Sequence, residues 1–255
     1  PLEGKGPYRG MGKYRLSATQ GRGLLTLGCA DILLTWRNGA FVDSSLCCGT
    51  SRYYPTDGDY ELLCYIWAHC NFDDGRLPGL RLTSGKGIRK AVAVKELREF
   101  PHNWNFSYAG LEIREHLTTP AKAIETKMAL NKRNSTRLPL AAVYRREICL
   151  DPSCGSRILS LEGADTPVWA YVDGSLIGKV NPFDPYLDLT DATRGKDQIE
   201  LAFYTIRAAG REKMGLPRLY EGLELTECEL ATVADTRFPA LSIPGEGEEK
   251  ELPIS

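Results

Sequence analysis

The amino-acid sequence predicts an all-β protein made of antiparallel β-sandwiches. Short runs rich in β-branched and aromatic residues alternate with turn residues, and no regular strand–helix alternation interrupts them. Asn-Gly and Asp-Gly pairs join several of these runs, as two-residue antiparallel hairpins require. The clearest hairpin is 168–179, VWAYVDGSLIGK, in which Asp173 and Gly174 separate two alternating strands.

The first half of the chain contains a series of such strands. They are predicted at 13–18, 24–27, 32–36, 60–67 and 108–114, with shorter apolar pieces at 80–82 and 91–94. Asn38 and Gly39 predict a second hairpin, which continues into 40–42. The second half opens with a strand at 144–150, and a further strand is predicted at 186–189.

Three blocks of the first half recur in the second half in the same order. They are 24–31 with 158–165, 34–39 with 169–174, and 59–63 with 197–201, at offsets of 134, 135 and 138. A small drift over so long a period indicates a duplicated unit of domain size, because solenoid repeats are much shorter.

The repeat predicts two β domains, 7–117 and 138–232. A linker at 118–137 separates them, and its stretch 121–130 suits either a helix or an extended connection. The composition then changes to Pro and Glu over 233–255, which predicts a flexible tail or a link to a further domain.

Charge and hydropathy make nucleic acid and membrane unsuitable partners. The 255-residue chain has 32 Lys and Arg against 33 Asp and Glu, a net charge of −1, so no strong field attracts polyanions. No apolar run approaches the roughly 18 residues of a membrane span. The start at Pro1 does not resemble a signal peptide, so we expect a cytoplasmic protein, or a secreted one if the chain is a fragment. The same reasoning predicts that its eight cysteines are reduced.

No motif identifies a catalytic centre. A nucleophile elbow, a phosphate loop and a dinucleotide fingerprint are all missing from the sequence, so no catalytic residue is assigned and the question of enzymatic activity stays open. No cofactor is predicted. Acidic turns at Asp57, Asp59, Asp73 and Asp74 favour a structural role, and they leave a structural calcium ion open.

Carbohydrate binding is the function for which suitable residues occur together. Aromatic faces stack on sugar rings, while Asn, Asp and His side chains bond to hydroxyl groups. The richest segment is 102–106, and the candidates are His102, Asn103, Trp104, Asn105, Tyr53, Tyr54, Asn71 and Asp73. The alternative is that Trp104 and Phe106 cover the end of a sandwich or the seam between domains.

The second-half motifs resemble the galactose-binding-domain-like jelly-roll modules of glycoside hydrolases. The matching residues are 164–165, 168–179, 185–190 and 195–203, with a weaker match at 13–15, 36–42, 85–88 and Trp104. The pair of modules is most similar to the β domains of family 35 β-galactosidases, with family 2 enzymes and family 78 rhamnosidases close behind. The resemblance implies two tandem jelly-roll β-sandwiches. It implies no catalytic pair here, because those families carry theirs on a (β/α)₈ barrel.

These observations predict a non-catalytic, carbohydrate-associated region of a β-galactosidase-like glycoside hydrolase. This region would either bind glycan weakly or support the catalytic domain of the parent enzyme. Its partners would therefore be carbohydrate and that catalytic domain. Two alternatives stay open: a protein-interaction module with no sugar role, and a self-contained enzyme on a β-sandwich.

Overall fold

A computed structural model describes residues 10–29, 32–46, 51–66, 87–109, 141–180, 184–206, 214–226 and 229–233. These residues form sixteen β-strands and one 3₁₀ helix, Asp191–Thr193. The first eight strands are β1 Gly10–Ala18, β2 Leu24–Cys29, β3 Ile32–Arg37, β4 Ala40–Leu46, β5 Arg52–Tyr54, β6 Gly58–Ile66, β7 Gly87–Glu99 and β8 Asn105–Ala109. The other eight are β9 Ala141–Cys149, β10 Ser156–Glu162, β11 Val168–Val172, β12 Ser175–Val180, β13 Tyr186–Asp188, β14 Gln198–Ile206, β15 Leu216–Glu224 and β16 Glu229–Val233.

The strands assemble into three antiparallel sheets. The first outer sheet has the order β16-β1-β6-β3-β4, and the second outer sheet has the order β12-β11-β14-β9-β8. The third sheet has six strands in the order β13-β10-β15-β7-β2-β5. It is called the central sheet here because strands from both halves of the chain form it. The predicted fold class, an all-β protein of antiparallel β-sandwiches, is confirmed.

Two hairpins form as their turn residues predict. Asn38 and Gly39 have φ angles of 50° and 78°, and Asp173 and Gly174 have 49° and 77°. Positive φ at both central positions is the signature of the type I′ turn, whose twist matches that of the flanking strands. The pairing register of each hairpin also shifts just before an aromatic residue, between Thr35 and Trp36 in the first and between Ala170 and Tyr171 in the second. Trp36 and Tyr171 are 135 positions apart, which is the offset of the second repeated block.

The two halves correspond strand by strand, and each gives its last strand to the other. Adding eight to the strand numbers of the first outer sheet reproduces the second, except that β8 and β16 change places. β8 pairs with β9 in the second outer sheet, and β16 pairs with β1 in the first. The division at 7–117 and 138–232 stays a prediction, and the linker 118–137 lies outside the described residues.

Apolar residues pack on both faces of the central sheet. The first outer sheet covers one core, which contains Leu24 and Ala93, and the second covers another, which contains Leu159 and Leu219. The ladder pairings place these four residues on one face of the central sheet. A third core lies on the opposite face and contains Leu25, Leu27, Val92, Val94, Ile158 and Tyr220.

Contacts across this third core show that the central sheet is strongly curved. The ring of Tyr220 on β15 lies 4.8 Å from that of Tyr53 on β5 and 6.1 Å from that of Tyr186 on β13. Lys90 on β7 reaches Asp188 on β13, with 3.0 Å between Nζ and Oδ2. None of these pairs belongs to neighbouring strands, so the sheet curls around its own core and joins the two halves through β7 and β15.

A buried ion pair lies at that junction. Glu221 on β15 has no exposed side-chain area, and its Oε1 lies 3.2 Å from Nε of the nearly buried Arg157. Arg98 on β7 forms an ion pair with the other carboxylate oxygen, and the backbone N–H of Asp151 donates to Oε1 at 3.1 Å. A charge so enclosed is stable only while all of these partners remain.

Strand β7 is much longer than the sequence pattern predicts. The apolar piece expected at 91–94 is the middle of a 13-residue strand. Its second part contains the charged residues Lys95, Glu96 and Arg98. The alternation of apolar and polar residues that would predict a strand is therefore not visible there. The expected strand at 108–114 is described only as far as Ala109, and the piece at 80–82 lies outside the described residues.

Cys64, Cys149 and Cys154 are free thiols. Over the described residues there is no helix with the length and hydropathy needed to cross a bilayer.

Candidate functional site: an aromatic cleft in the second sandwich

A cleft of about 620 Å³ opens beside the second outer sheet. The loop before β8, strands β8 and β9, the turn after β10 and the entry to β15 form its walls. Its lining residues are Phe100, Pro101, His102, Asn103, Trp104, Phe106, Tyr144, Glu162, Gly163, Met214, Gly215, Leu216 and Pro217. The volume is typical of a small-ligand site.

One wall of the cleft is aromatic, and its parts differ in exposure. Trp104 is anchored, because its Nε1 donates to the Phe100 carbonyl at 2.8 Å and its ring packs 5.1 Å from that of Phe203 in the second core. Phe106 lies at the edge, 45% exposed, with its ring 5.0 Å from that of Tyr144. Phe106 is therefore the aromatic residue of this wall that is most exposed to a ligand, while Trp104 supports the wall.

The loop carrying His102 and Asn103 is held from the second outer sheet. Arg146 on β9 donates to the His102 carbonyl at 2.5 Å, and its guanidinium lies 4.8 Å from the centre of the Phe100 ring. Asn103 has a φ of 62°, a conformation that Asn tolerates better than most residues. Both side chains are consequently exposed at the rim.

Glu162 is the acidic group of the opposite wall, and its charge is balanced. Arg218 on β15 forms an ion pair with one carboxylate oxygen, and the Tyr186 hydroxyl donates to the other at 3.1 Å. Burial raises the pKa of Tyr186, so this phenol stays protonated as a donor. Glu162 can accept a hydrogen bond from a ligand, but it carries little unbalanced charge.

Gly215 permits the close approach of the chain that forms the base of this wall. Its φ is 86°, and a Cβ there would lie 2.8 Å from the Leu161 carbonyl, the Glu162 carbonyl and the Ala164 nitrogen. All three are backbone atoms, which cannot move aside as a flexible side chain can.

We expect Gly215→Ala to lower the free energy of unfolding by roughly 3 kcal/mol or more, because strain at positive φ adds to the steric clash. Gly174→Ala is the matched control, since Gly174 has φ 77° and no atom within 4 Å of the added Cβ. That control should cost only the strain, about 1–2 kcal/mol. Urea unfolding of both variants measures the difference, and equal losses would contradict the close approach.

The structure brings some of the sequence-predicted candidates together and separates others. His102, Asn103 and Trp104 line the cleft, whereas Asn105 lies next to it on β8, exposed and outside the lining. Asn71 and Asp73 lie outside the described residues.

Tyr53 and Tyr54 lie on β5, away from the cleft. Tyr54 is 8% exposed, and its hydroxyl shares a 2.8 Å hydrogen bond with that of Thr35. Burial raises the pKa of Tyr54 to about 12. Tyr53 donates to the Arg22 carbonyl at 2.6 Å. In the described structure both hydroxyls therefore have partners within the first half of the chain.

Sequence reasoning missed Tyr144, Glu162 and Met214 as members of the site. Tyr144 and Glu162 read as ordinary strand residues, and Met214 follows a stretch without any pattern. Gly163 had a weak signal, because it lies within a block of the internal repeat, 158–165. The pairing of β8 with β9 places Tyr144 beside the 102–106 loop. The pairings of β15 with β10 and β7 bring Glu162 and Met214 to the same place.

Within the described ranges, no group of three His, Cys, Asp or Glu side chains is placed to hold a metal ion. Asp57 is one of the acidic turn residues for which a structural calcium ion was left open. It accepts hydrogen bonds from the backbone N–H groups of Gly21 at 2.6 Å and Gly23 at 2.8 Å. It ties two loops together, as an acidic turn residue commonly does.

A serine–lysine contact outside the cleft is unsuited to catalysis. Lys95 Nζ lies 2.6 Å from Ser153 Oγ, but it also donates to Asp151 at 2.9 Å. The hydrogen bond with Asp151 raises the pKa of Lys95, so the amine stays protonated and cannot accept the proton of Ser153.

No protein-family model matches the sequence, and no curated protein does. Solved structures give low similarities. A β-glucuronidase from an uncultured Clostridium is 13% identical with a TM-score of 0.34, over 56% of this chain and 35% of that one. A rhamnosidase from Novosphingobium is 13% identical with a TM-score of 0.30, over 82% and 23%. The tandem CBM51 modules of a family 98 glycoside hydrolase from Streptococcus pneumoniae are 9% identical with a TM-score of 0.25, over 85% and 79%. The chain thus spans about a third or less of the first two structures, and likeness at this level transfers no ligand or activity.

Proposed function

We propose that this chain is a non-catalytic, carbohydrate-associated region of a glycoside hydrolase that binds glycan weakly through the aromatic cleft. The observation that carries the proposal is the exposed ring of Phe106 beside His102, Asn103 and Glu162, in a cleft of about 620 Å³. The finer assignment to a β-galactosidase-like parent rests on the motif resemblance alone.

The chemistry of the cleft supports sugar binding of modest strength. An aromatic ring face suits the C–H-rich face of a pyranose, and the three polar side chains supply both donors and acceptors for hydroxyl groups. Hydrogen bonds that replace water contribute only about 0.5–1.5 kcal/mol each. The side chains of His102, Asn103 and Glu162, together with the exposed part of the Phe106 ring, therefore predict weak binding.

The test is a titration by NMR or calorimetry with neutral mono- and oligosaccharides. Phe106→Ala should weaken binding about tenfold, because it removes the exposed aromatic surface of the cleft. Phe41→Ala is the matched control, since Phe41 is 57% exposed on the β4 edge strand and is not part of the cleft lining. Silence of the wild type across the panel, or equal losses in both variants, would contradict glycan binding at this cleft.

A second function, docking of a protein, is favoured by a different surface. Phe41 and Val42 on β4 are 57% and 42% exposed, and the ring of Trp36 lies 5.7 Å from that of Phe41. Apolar groups clustered on an exposed sheet edge favour a contact with another protein. The catalytic domain of a parent enzyme is one such protein. Sedimentation with the parent enzyme's remaining domains tests it, with Phe41→Ala expected to weaken association and Phe106→Ala expected to leave it unchanged.

We also propose that the chain arose by duplication of one eight-stranded unit. The matching strand orders and the equivalent register shifts support the proposal. The domain limits 7–117 and 138–232, and the cytoplasmic location, remain predictions.

A further inference from the structure

We propose that the preferred ligand of the cleft is a glycoside with an aromatic aglycone, not a free sugar or a glycan chain. This inference rests on the proposed function, because it assumes that the polar part of the cleft receives a sugar. It goes further by assigning the remaining volume to an apolar group.

The balance of polar and apolar side chains carries the first step. Of the thirteen lining residues, only His102, Asn103, Glu162 and the Tyr144 phenol present polar side-chain groups other than an anchored indole. A pyranose has hydroxyl groups around its whole rim, and each one that loses water without gaining a partner costs about 1–3 kcal/mol. The cleft can therefore satisfy one sugar at its polar groups, but a second sugar would lose more hydrogen bonds than it gains.

The size of the cleft carries the second step. A volume of about 620 Å³ lies in the middle of the range for small-ligand sites and exceeds the needs of one pyranose ring. Met214 and Leu216 line the remaining part. Methionine is flexible and polarisable, so it adapts to aromatic rings and to alkyl chains alike.

The charges carry the third step, because they exclude an acidic sugar. Among the described lining residues there is no Lys or Arg. The two nearest arginines already have partners: Arg146 donates to the His102 carbonyl, and Arg218 pairs with both Glu162 and Glu99. A carboxylate on the ligand would find no free cation among the described lining residues to replace its hydration, which disfavours uronic acids relative to neutral sugars.

Paired ligands test the inference on the full chain. Methyl and phenyl β-glycosides of galactose, glucose and mannose are titrated by calorimetry or NMR, together with phenol alone and a neutral tetrasaccharide. For at least one sugar, the phenyl glycoside should bind about 10- to 50-fold more tightly than the methyl glycoside, as expected for burying one ring face. Met214→Ala should remove most of that ratio, because Met214 lines the apolar part of the cleft. Phe106→Ala should weaken both glycosides alike, and Phe41→Ala should leave both unchanged.

The other outcomes separate the two proposals. If methyl and phenyl glycosides bind equally, or the tetrasaccharide binds more tightly than every phenyl glycoside, the aglycone inference is overturned while glycan binding stands. If phenol binds as tightly as the phenyl glycosides, or nothing binds, both proposals are overturned.

Discussion

Replacing Glu221 with alanine is expected to lower the free energy of unfolding by about 3–5 kcal/mol. The variant leaves Arg157, which is 5% exposed, buried beside β15 without its carboxylate partner. It also removes the ion-pair partner of Arg98 and the acceptor for the Asp151 N–H. Because β7 and β15 join the two halves, the loss falls on the connection between both sandwiches.

A matched surface acid distinguishes burial from simple loss of charge. Glu61 lies on β6 and contacts Lys13 at 2.6 Å and Arg15 at 3.1 Å, but its side chain is 37% exposed. Glu61→Ala should cost less than about 1 kcal/mol. Urea unfolding measures both variants. If Glu221→Ala proves as mild as Glu61→Ala, the buried network does not stabilise the junction.

A double variant tests the mechanism of the loss. Glu221→Leu combined with Arg157→Met removes both charges and fills the space with apolar atoms. It should recover much of the stability that Glu221→Ala loses, because the deeply buried Arg157 charge is gone, and Arg98, which is 25% exposed, still reaches solvent. A double variant no more stable than the single one would indicate that packing, and not charge, explains the effect.

Separating the two halves is the second change with a large expected effect. Neither half should fold by itself if the chain is divided near residue 127, between β8 and β9. Fragment 1–127 would lack β16 at the edge of β1 and β15 at the edge of β7, and the other fragment would lack β8 and β7. The third core would lose either Leu25 and Val92 or Ile158 and Tyr220.

Co-expression of the fragments provides the positive arm of this experiment. Together they should form a 1:1 complex with a cooperative unfolding transition, since every described pairing between the halves is restored. Circular dichroism and size-exclusion chromatography measure folding and association. Two fragments that each unfold cooperatively as monomers would show instead that the halves are independent domains.

Much of the fold could be predicted because turn chemistry and alternation act over a few residues. Asn38-Gly39 and Asp173-Gly174 take the positive φ values that their dipeptides favour, and the flanking strands follow. The all-β class follows from the same short-range pattern. The full length of strand β7 was not predicted, because its charged half lies in the central sheet, where long-range pairing overrides the local composition.

The candidate site was predictable only in part. His102, Asn103 and Trp104 stood out by residue type, and they line the cleft. Tyr53 and Tyr54 had equally suitable chemistry, but their hydroxyls bond to Arg22 and Thr35. Residue type indicates what a side chain can bond, while its partners in the folded chain determine whether it is free to do so.

The sequence by itself determined the all-β class and the two type I′ hairpins, because each is set by neighbouring residues. Only the tertiary structure decided that β8 joins β9, that β16 joins β1 and that the central sheet curls around a third core. The physical reason is that strand edges present the same N–H and C=O groups, so composition does not specify which edges meet. The cleft depends on that choice, since pairing β8 with β9 brings Phe106 beside Tyr144.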